Sequence, residues 1–289
     1  MAIKRNERYP GRFSNPTGDH PQGAFKNRSA PGAQDGSYLE QDWANDWDGF
    51  FARILSVAGV TPNGLVDSGS SSQLYDALLS AMPGRLLRVQ TINSSGTYTR
   101  GAGTKSAVVY VLGGGGAGGN ATNGTGTTAS VGGGGGAGGC AVSYITTVPA
   151  TAAVVVGAGG VSAAGGNSSF NGTIIANGGS VGTTNAITGG TSFTGHARSG
   201  AGGVASGGNL WNSKGGAGTP CIITQGIPSG GNGGASQLSG SETGAGASGG
   251  AGGAGLLGSG GSGAAQSIGG GGFGGGAGGT GIVMVWEYA

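Results

Sequence analysis

The hydrophobic positions divide the chain into two unlike parts. In the first part, apolar residues recur at spacings of three and four, which is typical of amphipathic helices. From about residue 86 onwards, short β-branched runs alternate with glycine runs such as 113–119 (GGGGAGG) and 132–139 (GGGGGAGG). We therefore predict a small N-terminal α-helical module followed by a glycine-rich, mainly β domain.

One strongly amphipathic helix is predicted after residue 37. Ser37 and Glu40 have the spacing of a capping box, and Gly59 marks the end of the helix. A second, shorter helix is predicted over 73–82, with Ser and Asp residues before it as N-caps and a Pro-Gly pair after it. The apolar stripe of the first helix consists of Leu39, Trp43, Trp47, Phe50, Phe51, Ile54 and Leu55.

Residues 1–36 are rich in proline, glycine and polar side chains and cannot form a core of their own. We expect an extended arm whose aromatic side chains dock on another subunit or protein; a disordered leader is the alternative. A helical module of fewer than about 90 residues buries little apolar surface. The helix aromatics are therefore also expected to pack against copies of the chain or a docking partner, with packing within the same chain as the alternative. These attachment and oligomerisation candidates are Tyr9, Phe13, Phe25, Trp43, Trp47, Phe50 and Phe51.

Strands are predicted where β-branched and aromatic residues cluster. A flexible linker would not carry such clusters repeatedly, so the glycine-rich part is expected to fold. The predicted strand segments are 89–92, 96–100, 107–112, 140–148, 152–156, 170–176, 220–224 and 282–288.

Glycine accounts for 75 of the 289 residues. The predicted fold must therefore explain how glycine-rich segments pack. Collagen does not fit, because the Gly-X-Y register breaks repeatedly and proline is scarce after residue 83. A bundle of extended polyglycine helices fits better, since each backbone group can bond to a neighbour wherever no side chain intervenes. Segment 249–255 (GGAGGAG) suits this arrangement if its alanines face outward. A β-rich fold with glycine-rich loops and a disordered tract are the alternatives.

Charge and cysteine content argue against several function classes. Charged residues make up 8% of the chain and the net charge is +2, which does not favour a nucleic-acid-binding protein. Cys140 and Cys221 lack the spacing of a metal site and are expected to be small buried residues, with a disulfide as the alternative. The N-terminus does not resemble a secretory signal, and no apolar run reaches the ~18 residues of a membrane span. We expect synthesis in a cytoplasm.

No catalytic, metal or cofactor motif is present. Segment 96–106 (GTYTRGAGTKS) lacks the glycine directly before Lys105 that a phosphate-binding loop requires. Glu242 and Glu287 are far apart in sequence, and this spacing does not favour the paired catalytic carboxylates of a glycosidase. No motif joins His20 or His196 to a catalytic triad. We expect a non-enzymatic protein without cofactor or metal; a depolymerase is the weaker alternative.

Recognition is then expected in the segments between the glycine runs, because glycine helices expose little but backbone. A tryptophan in such a sequence is a plausible binding hot spot. The alternatives are that Trp211 packs under its own loop and that His196 is an ordinary surface histidine. The segments are 183–198, 209–214, 220–229 and 236–243. The candidate contact residues are Phe193, His196, Arg198, Trp211 and Lys214.

Two stretches of the chain resemble segments of a known family of proteins. The first is YPGRFSNPTGDHPQGAFKNRSAPGAQDGSYLEQDWANDWDGFFARIL, followed by VTPNGLVDSGSSSQLYDALL; it is similar to virion-proximal segments of phage and prophage tail proteins. The second contains GGGGAGG, GGGGGAGG, VVVGAGG and the ending GGTGIVMVWEYA. It resembles the glycine-rich domain at the distal ends of bacteriophage tail-fibre and tail-tip proteins and the polyglycine-helix adhesins of T-even-like fibres.

The resemblance implies a homotrimeric virion protein of the distal tail fibre. It implies an extended attachment arm over 1–36, a helical attachment and trimerisation module over 37–88, and a receptor-binding tip over 89–289. The implied partners are a phage tail or baseplate protein and a bacterial outer-membrane protein or surface glycan. The chain lacks the shaft repeats of long fibres, so a short fibre or tip protein fits better. A structural connector between baseplate and fibre, without receptor binding, is the alternative.

Overall fold

The structure is a computed structural model that describes residues 3–21, 23–38, 40–82, 84–122, 127–188 and 194–289. It is 27% strand and 11% helix, so the prediction of a mainly β protein with a few helices is confirmed. The chain divides into two compact units, Met1–Pro83 and Gly84–Ala289. The division falls shortly before the expected boundary at 88/89, because a strand that starts at Leu86 belongs to the second unit.

The described residues of the first unit form a short helix and two longer ones. They are α1 (Arg5–Arg8), α2 (Gln41–Ala58) and α3 (Gln73–Ala81). None of the helices in the described part of the chain is long and apolar enough to cross a membrane.

The predicted capping box of α2 is wrong. Glu40 occupies the N-cap position without a side-chain capping bond, and Ser37 lies outside the helix. The Ser37 hydroxyl instead donates to the carbonyl oxygen of Arg12 at 2.5 Å and accepts from the N–H of Lys26 at 3.0 Å. The predicted end of the helix is confirmed, since Gly59 has a φ of 69° and its N–H bonds to carbonyls of the last turn.

Capping of α3 follows the prediction. The Ser72 hydroxyl accepts a hydrogen bond from the N–H of Tyr75 at 3.1 Å. The Asp67 carboxylate accepts from the N–H of Gln73 at 2.9 Å and of Leu74 at 3.1 Å. The Ser72 hydroxyl, which donates to the same carboxylate, and these N–H groups lower the pKa of Asp67.

Aromatic side chains connect the arm to α2 within the first unit. The series runs through Tyr9, Phe13, Phe25, Trp43, Trp47, Phe51 and Phe50, with neighbouring ring centroids 5.2–6.1 Å apart. Phe13 is buried, whereas Phe25, Trp47 and Phe50 are 52%, 41% and 52% exposed. Packing within the chain therefore accounts for part of the aromatic set and leaves the other part facing outward.

The second unit is built from antiparallel strands. They are β1 (Leu86–Ile92), β2 (Gly96–Thr99), β3 (Ser106–Leu112), β4 (Thr128–Gly132), β5 (Cys140–Ile145), β6 (Thr151–Val155), β7 (Ser168–Phe170), β8 (Ile174–Ala176), β9 (Thr184–Thr188), β10 (Thr194–Ala197), β11 (Ala205–Ser206), β12 (Trp211–Ser213), β13 (Cys221–Thr224), β14 (Ile227–Ser229), β15 (Ala265–Gln266) and β16 (Ile282–Tyr288). Every predicted strand segment overlaps one of these. Segment 170–176 is a hairpin rather than one strand, because Asn171 and Gly172 have φ values of 52° and 65°.

Two five-stranded sheets pack face to face. Their strand orders are β1-β16-β3-β5-β12 and β11-β8-β7-β6-β2, and both contribute to one apolar core that includes Val109, Phe170 and Val285. Two smaller sheets, β10-β13-β14 and β15-β4-β9, share a second core that includes Val131 and Ile223. Cys140 and Cys221 are free and buried, which confirms their prediction as small buried residues and excludes a disulfide between them.

The glycine runs between these sheets bond to one another with a period of three residues. In run 113–119, the N–H groups of residues 113, 116 and 119 donate to run 132–139, at 2.8–3.0 Å. Residues 114 and 117 donate to run 163–166, and residues 115 and 118 donate to run 276–279. The carbonyl oxygens of the same run accept from N–H groups in three further runs, at residues 160, 179–182 and 261–264. Run 113–119 thus has six hydrogen-bonded neighbours.

Run 132–139 is surrounded in the same way. It donates to runs at 258–264, 177–183 and 216–219, and it accepts from runs at 113–119, 200–203 and 231–234. No side chain fits at such contacts. A Cβ atom on Gly134 would lie 1.7 Å from the carbonyl oxygen of Asn232, and one on Gly115 would lie 1.9 Å from that of Ser259.

The alanines of segment 249–255 lie outside these close contacts. Ala251 and Ala254 are both exposed, which confirms that they face outward. Ala117 and Ala137, in contrast, are fully buried inside their runs. The interior therefore excludes a Cβ atom at many positions but not at all of them.

The runs connect two ends of the second unit. We name the end with the five-stranded sheets the base and the end with the three-stranded sheets the tip. Run 113–119 leaves the base from β3, and run 132–139 returns antiparallel to it from β4 at the tip. At about 3.1–3.4 Å per extended residue, a seven-residue run separates the ends by about 20 Å. The first residue of the unit, Gly84, lies at the base, where its N–H donates to Ala289 at 3.1 Å.

Candidate functional site

The sheet β10-β13-β14 at the tip has one buried and one exposed face. Its register pairs His196 with Ile222, Ile222 with Ser229, and Thr224 with Ile227. Cross-strand partners project from the same face of a sheet, and these five side chains are all exposed. The alternate residues Ala197, Cys221, Ile223 and Pro228 are buried. We name the set His196, Ile222, Thr224, Ile227 and Ser229 the tip face.

A tight hairpin fixes the orientation of the tip face. Gln225 and Gly226 join β13 to β14 with φ values of 51° and 77°, as a two-residue turn between twisted strands requires. Ile223 is fully buried in the second core, against Val131 and Ala265 among others. Because side chains alternate along a strand, the burial of Ile223 forces Ile222 and Thr224 outward.

The tip face is apolar for an exposed surface. Ile222 is 48% exposed and Ile227 is 58% exposed. Ile268 lies next to the hairpin, because a Cβ atom added to Gly226 would lie 3.1 Å from its Cδ1 atom. The Ile268 side chain is 38% exposed. A patch of exposed isoleucines at the end of a domain is typical of an interaction surface.

Charge is nearly absent around the tip face. Arg198 follows β10 and is exposed, and its carbonyl oxygen accepts hydrogen bonds from the N–H and the hydroxyl of Thr183, both at 2.9 Å. Its backbone is therefore fixed while its side chain faces solvent. None of the tip strands carries an Asp or Glu in the described part of the chain. Binding here would depend on apolar contact and hydrogen bonds, with Arg198 as the neighbouring cation.

The structure brings only part of the predicted contact set to the tip. His196 and Arg198 lie there, and Phe193 lies outside the described residues. Trp211 lies at the base, on the edge strand β12, where it pairs with Val142 and is 52% exposed. Lys214 is exposed and directly follows β12. The recognition segments 209–214 and 220–229 contain β12, β13 and β14; β13 overlaps the strand predicted over 220–224.

Ile222 and Ile227 are not among the contact residues expected from the sequence. Charged and aromatic residues were favoured as contacts, and Ile222 was assigned only to the predicted strand 220–224. The signal was present in CIITQGIPS, residues 221–229. A Gln-Gly turn flanked by alternating residues exposes every second side chain of the hairpin.

A buried carboxylate lies at the base, away from the tip face. Glu287 is fully buried and accepts hydrogen bonds from Arg88 Nη2 at 2.8 Å, Arg88 Nε at 3.0 Å and the Tyr98 hydroxyl. The Gly101 N–H at 3.2 Å and the Thr104 hydroxyl at 3.3 Å complete the set. Burial disfavours the charge, but the hydrogen bonds from Arg88, Tyr98 and Gly101 outweigh it and lower the pKa of Glu287.

This arrangement gives Glu287 a structural role. Its oxygens are occupied by donors from β1, β2 and the 101–104 turn, so the carboxylate joins these segments to β16. No group of three or more His, Cys, Asp or Glu side chains in the described ranges is arranged to hold a metal ion. The tip face is thus the strongest candidate site of the second unit.

Comparison with known proteins adds no relative from which a function could be transferred. No protein-family model matches the chain, and no curated protein is significantly similar to it.

Proposed function

We propose that this chain is a non-enzymatic bacteriophage tail-fibre tip protein that binds the host cell surface through the tip face. One observation carries the proposal: an exposed, uncharged, isoleucine-rich sheet face lies at the end of the second unit opposite to its first residue. Binding residues held on a rigid scaffold keep their mutual geometry. The partner on the bacterium is an outer-membrane protein or a surface glycan.

We infer that the scaffold is a bundle of polyglycine helices. Three features support this inference: the three-residue period of the N–H donors, the six neighbours of runs 113–119 and 132–139, and the close approach of backbones at Gly134 and Gly115. An extended helix with three residues per turn directs its donors in this way. Such a bundle needs no side-chain core between base and tip.

The first unit is the attachment module in this proposal. Phe25, Trp47 and Phe50 remain about half exposed on the aromatic series that joins the arm to α2. Exposed aromatic side chains of this kind are frequent anchors of protein interfaces. They support docking on a tail or baseplate protein and association into a homotrimer in the virion, at the distal end of the fibre.

The experiment is a binding assay of the purified, fluorescently labelled chain on host bacteria. The double variant Ile222→Ser and Ile227→Ser removes the apolar side chains of the tip face without touching the buried Ile223. We expect it to reduce cell binding by about tenfold or more, the loss that follows from two buried aliphatic contacts. The matched control is Leu256→Ser, which changes a side chain that is 64% exposed elsewhere in the second unit.

Three outcomes contradict the proposal. Equal binding of the double variant and the control would remove the tip face as the contact surface. Failure of the unmodified chain to bind any host cell would favour a structural connector. Release of fragments from host polysaccharide would show an enzyme.

A further inference from the structure

A cationic cavity of about 760 Å³ lies in the first unit. Arg12, Lys26 and Arg28 line it, together with the polar side chains of Asn27 and Gln34. Neither Asp nor Glu is among its lining residues. A cavity of this size can hold several side chains of a bound peptide.

Backbone contacts within the arm hold the cationic residues around the cavity. The Ser37 hydroxyl bonds to the carbonyl of Arg12 and to the N–H of Lys26, and the Ser37 N–H donates to the carbonyl of Lys26 at 3.0 Å. Gly36 lies so close to the next segment that a Cβ on it would be 2.7 Å from the backbone nitrogen of Arg28. One serine and one glycine thus bring the three cationic residues to one place.

The three cations have no ion-pair partner among the described residues. The Arg12 guanidinium lies over the Tyr38 ring, 4.8 Å from its centroid, which orients it without neutralising its charge. Asp35 is the neighbouring acid, and hydrogen bonds from Ser29 together with the charge of Lys26 lower the pKa of its carboxyl group. Its carboxylate, however, accepts the N–H of Ser29 at 3.0 Å, and Asp35 does not line the cavity.

We propose that this cavity binds an acidic peptide segment of a partner protein. Carboxylates match the guanidinium fork of arginine, which can bond to both oxygens, and the amides of Asn27 and Gln34 offer further donors. A nucleic acid fits less well, because the first unit carries seven Lys/Arg against nine Asp/Glu, a net charge of −2. Such a unit repels an extended phosphate backbone while its cationic cavity still accepts a short acidic segment.

The proposal rests on the proposed function only for the identity of the partner, which would be the tail or baseplate protein. Peptide binding is measured without phage or bacteria. A chain that binds the peptide but no host cell would therefore contradict the proposed function alone. A chain that binds host cells but no acidic peptide would contradict only the cavity.

The experiment is calorimetric titration of the full chain with N-acetyl-tetraglutamate amide at low salt. We expect saturable binding of one peptide per chain, and tetraglutamine to bind about tenfold more weakly because it lacks the charge. Arg28→Gln is expected to weaken binding by about fivefold to tenfold, since it removes one exposed charged donor. Arg12→Gln is a second variant, with thermal unfolding recorded because it also loses the contact with Tyr38.

The control is Arg53→Gln, which makes the same chemical change on α2, outside the cavity. Binding of this control is expected to stay unchanged. An equal loss in Arg53→Gln and Arg28→Gln would reduce the effect to net charge and overturn the proposal. Three further results would overturn the proposal. They are absence of tetraglutamate binding, equal binding of tetraglutamine and tetraglutamate, and tighter binding of an oligothymidylate that carries the same charge as tetraglutamate.

Discussion

The base and the run region of the second unit are stabilised in opposite ways. At the base, large side chains such as Tyr98 and Phe170 fill the space between two sheets. In the runs, backbones touch directly, and at Gly134 and Gly115 a single Cβ would collide with a carbonyl oxygen. The comparison teaches that a chain can bury its backbone without a side-chain core when the N–H groups of each run donate to carbonyl oxygens of neighbouring runs.

The two regions should therefore respond to opposite substitutions. Adding atoms should damage the runs, and removing atoms should damage the base. Each prediction pairs a substitution at a buried position with a similar substitution at a less buried position.

The largest effect is expected in the runs. In Gly134→Ala, the added methyl would lie 1.7 Å from the carbonyl oxygen of Asn232, so a run must shift and break its hydrogen bonds. We expect a loss of more than about 4 kcal/mol in the free energy of unfolding, or a chain that does not fold. Urea unfolding followed by circular dichroism measures it.

The matched control for this prediction is Gly246→Ala. Nothing lies within 4 Å of a Cβ at that position, and its φ is not positive. The substitution should be neutral or stabilise the fold by up to about 1 kcal/mol, because alanine restricts the unfolded chain. Equal costs at both glycines would contradict backbone packing as the basis of the run region.

A smaller effect is expected at the base. Phe170 is 1% exposed in the core between the two sheets, so Phe170→Ala leaves a cavity there. We expect a loss of about 3–5 kcal/mol in the free energy of unfolding. Val155→Ala, on the adjacent strand β6 at a side chain that is 46% exposed, should cost less than about 1 kcal/mol. A small loss for Phe170→Ala would mean that the run region, and not the base, sets the stability of the unit.

The same difference explains which parts of the fold were predictable from the sequence. The β-branched residues of segment 282–288 (IVMVWEY) predict a strand, and β16 forms there. The partner of each glycine run is not predictable. Residue 113 bonds to 139 and residue 115 to 279, yet all four are glycines and carry no side-chain information to select between runs.

The candidate site was predictable to a similar extent. His196 lies on the tip face, and 220–229 was identified as a recognition segment although its exposed isoleucines were not. Trp211 was placed with them because the sequence does not show at which end of the second unit a segment lies. Consecutive runs reverse direction, so β11 and β12 lie at the base again after β9 and β10 have reached the tip. Counting reversals would have separated Trp211 from His196.

The smallest effect concerns a buried ion pair at the base, in which Arg88 Nη2 lies 2.8 Å from Glu287 Oε1. Arg88 is 40% exposed and Glu287 is fully buried, so the pair is partly screened. Glu287→Gln removes the charge and turns an amide N–H towards Arg88. We expect a cost of about 1.5–3 kcal/mol at neutral pH, the range for hydrogen bonds to charged groups.

The pH dependence of this cost gives the sharper test. The folded-state pKa of Glu287 is lowered, so its contribution is fully present above the unfolded pKa of about 4.3 and is lost as pH falls through the folded pKa. The difference in stability between the unmodified chain and Glu287→Gln should therefore shrink in acid, as measured by urea midpoints between neutral pH and about pH 2. Glu242→Gln is the control, because it makes the same chemical change at a glutamate that has no ion pair within the described ranges. A constant difference for Glu287→Gln across the whole range would mean that its cost comes from packing. The stability of the base would then come from side-chain packing alone, whereas that of the runs comes from contacts between backbones.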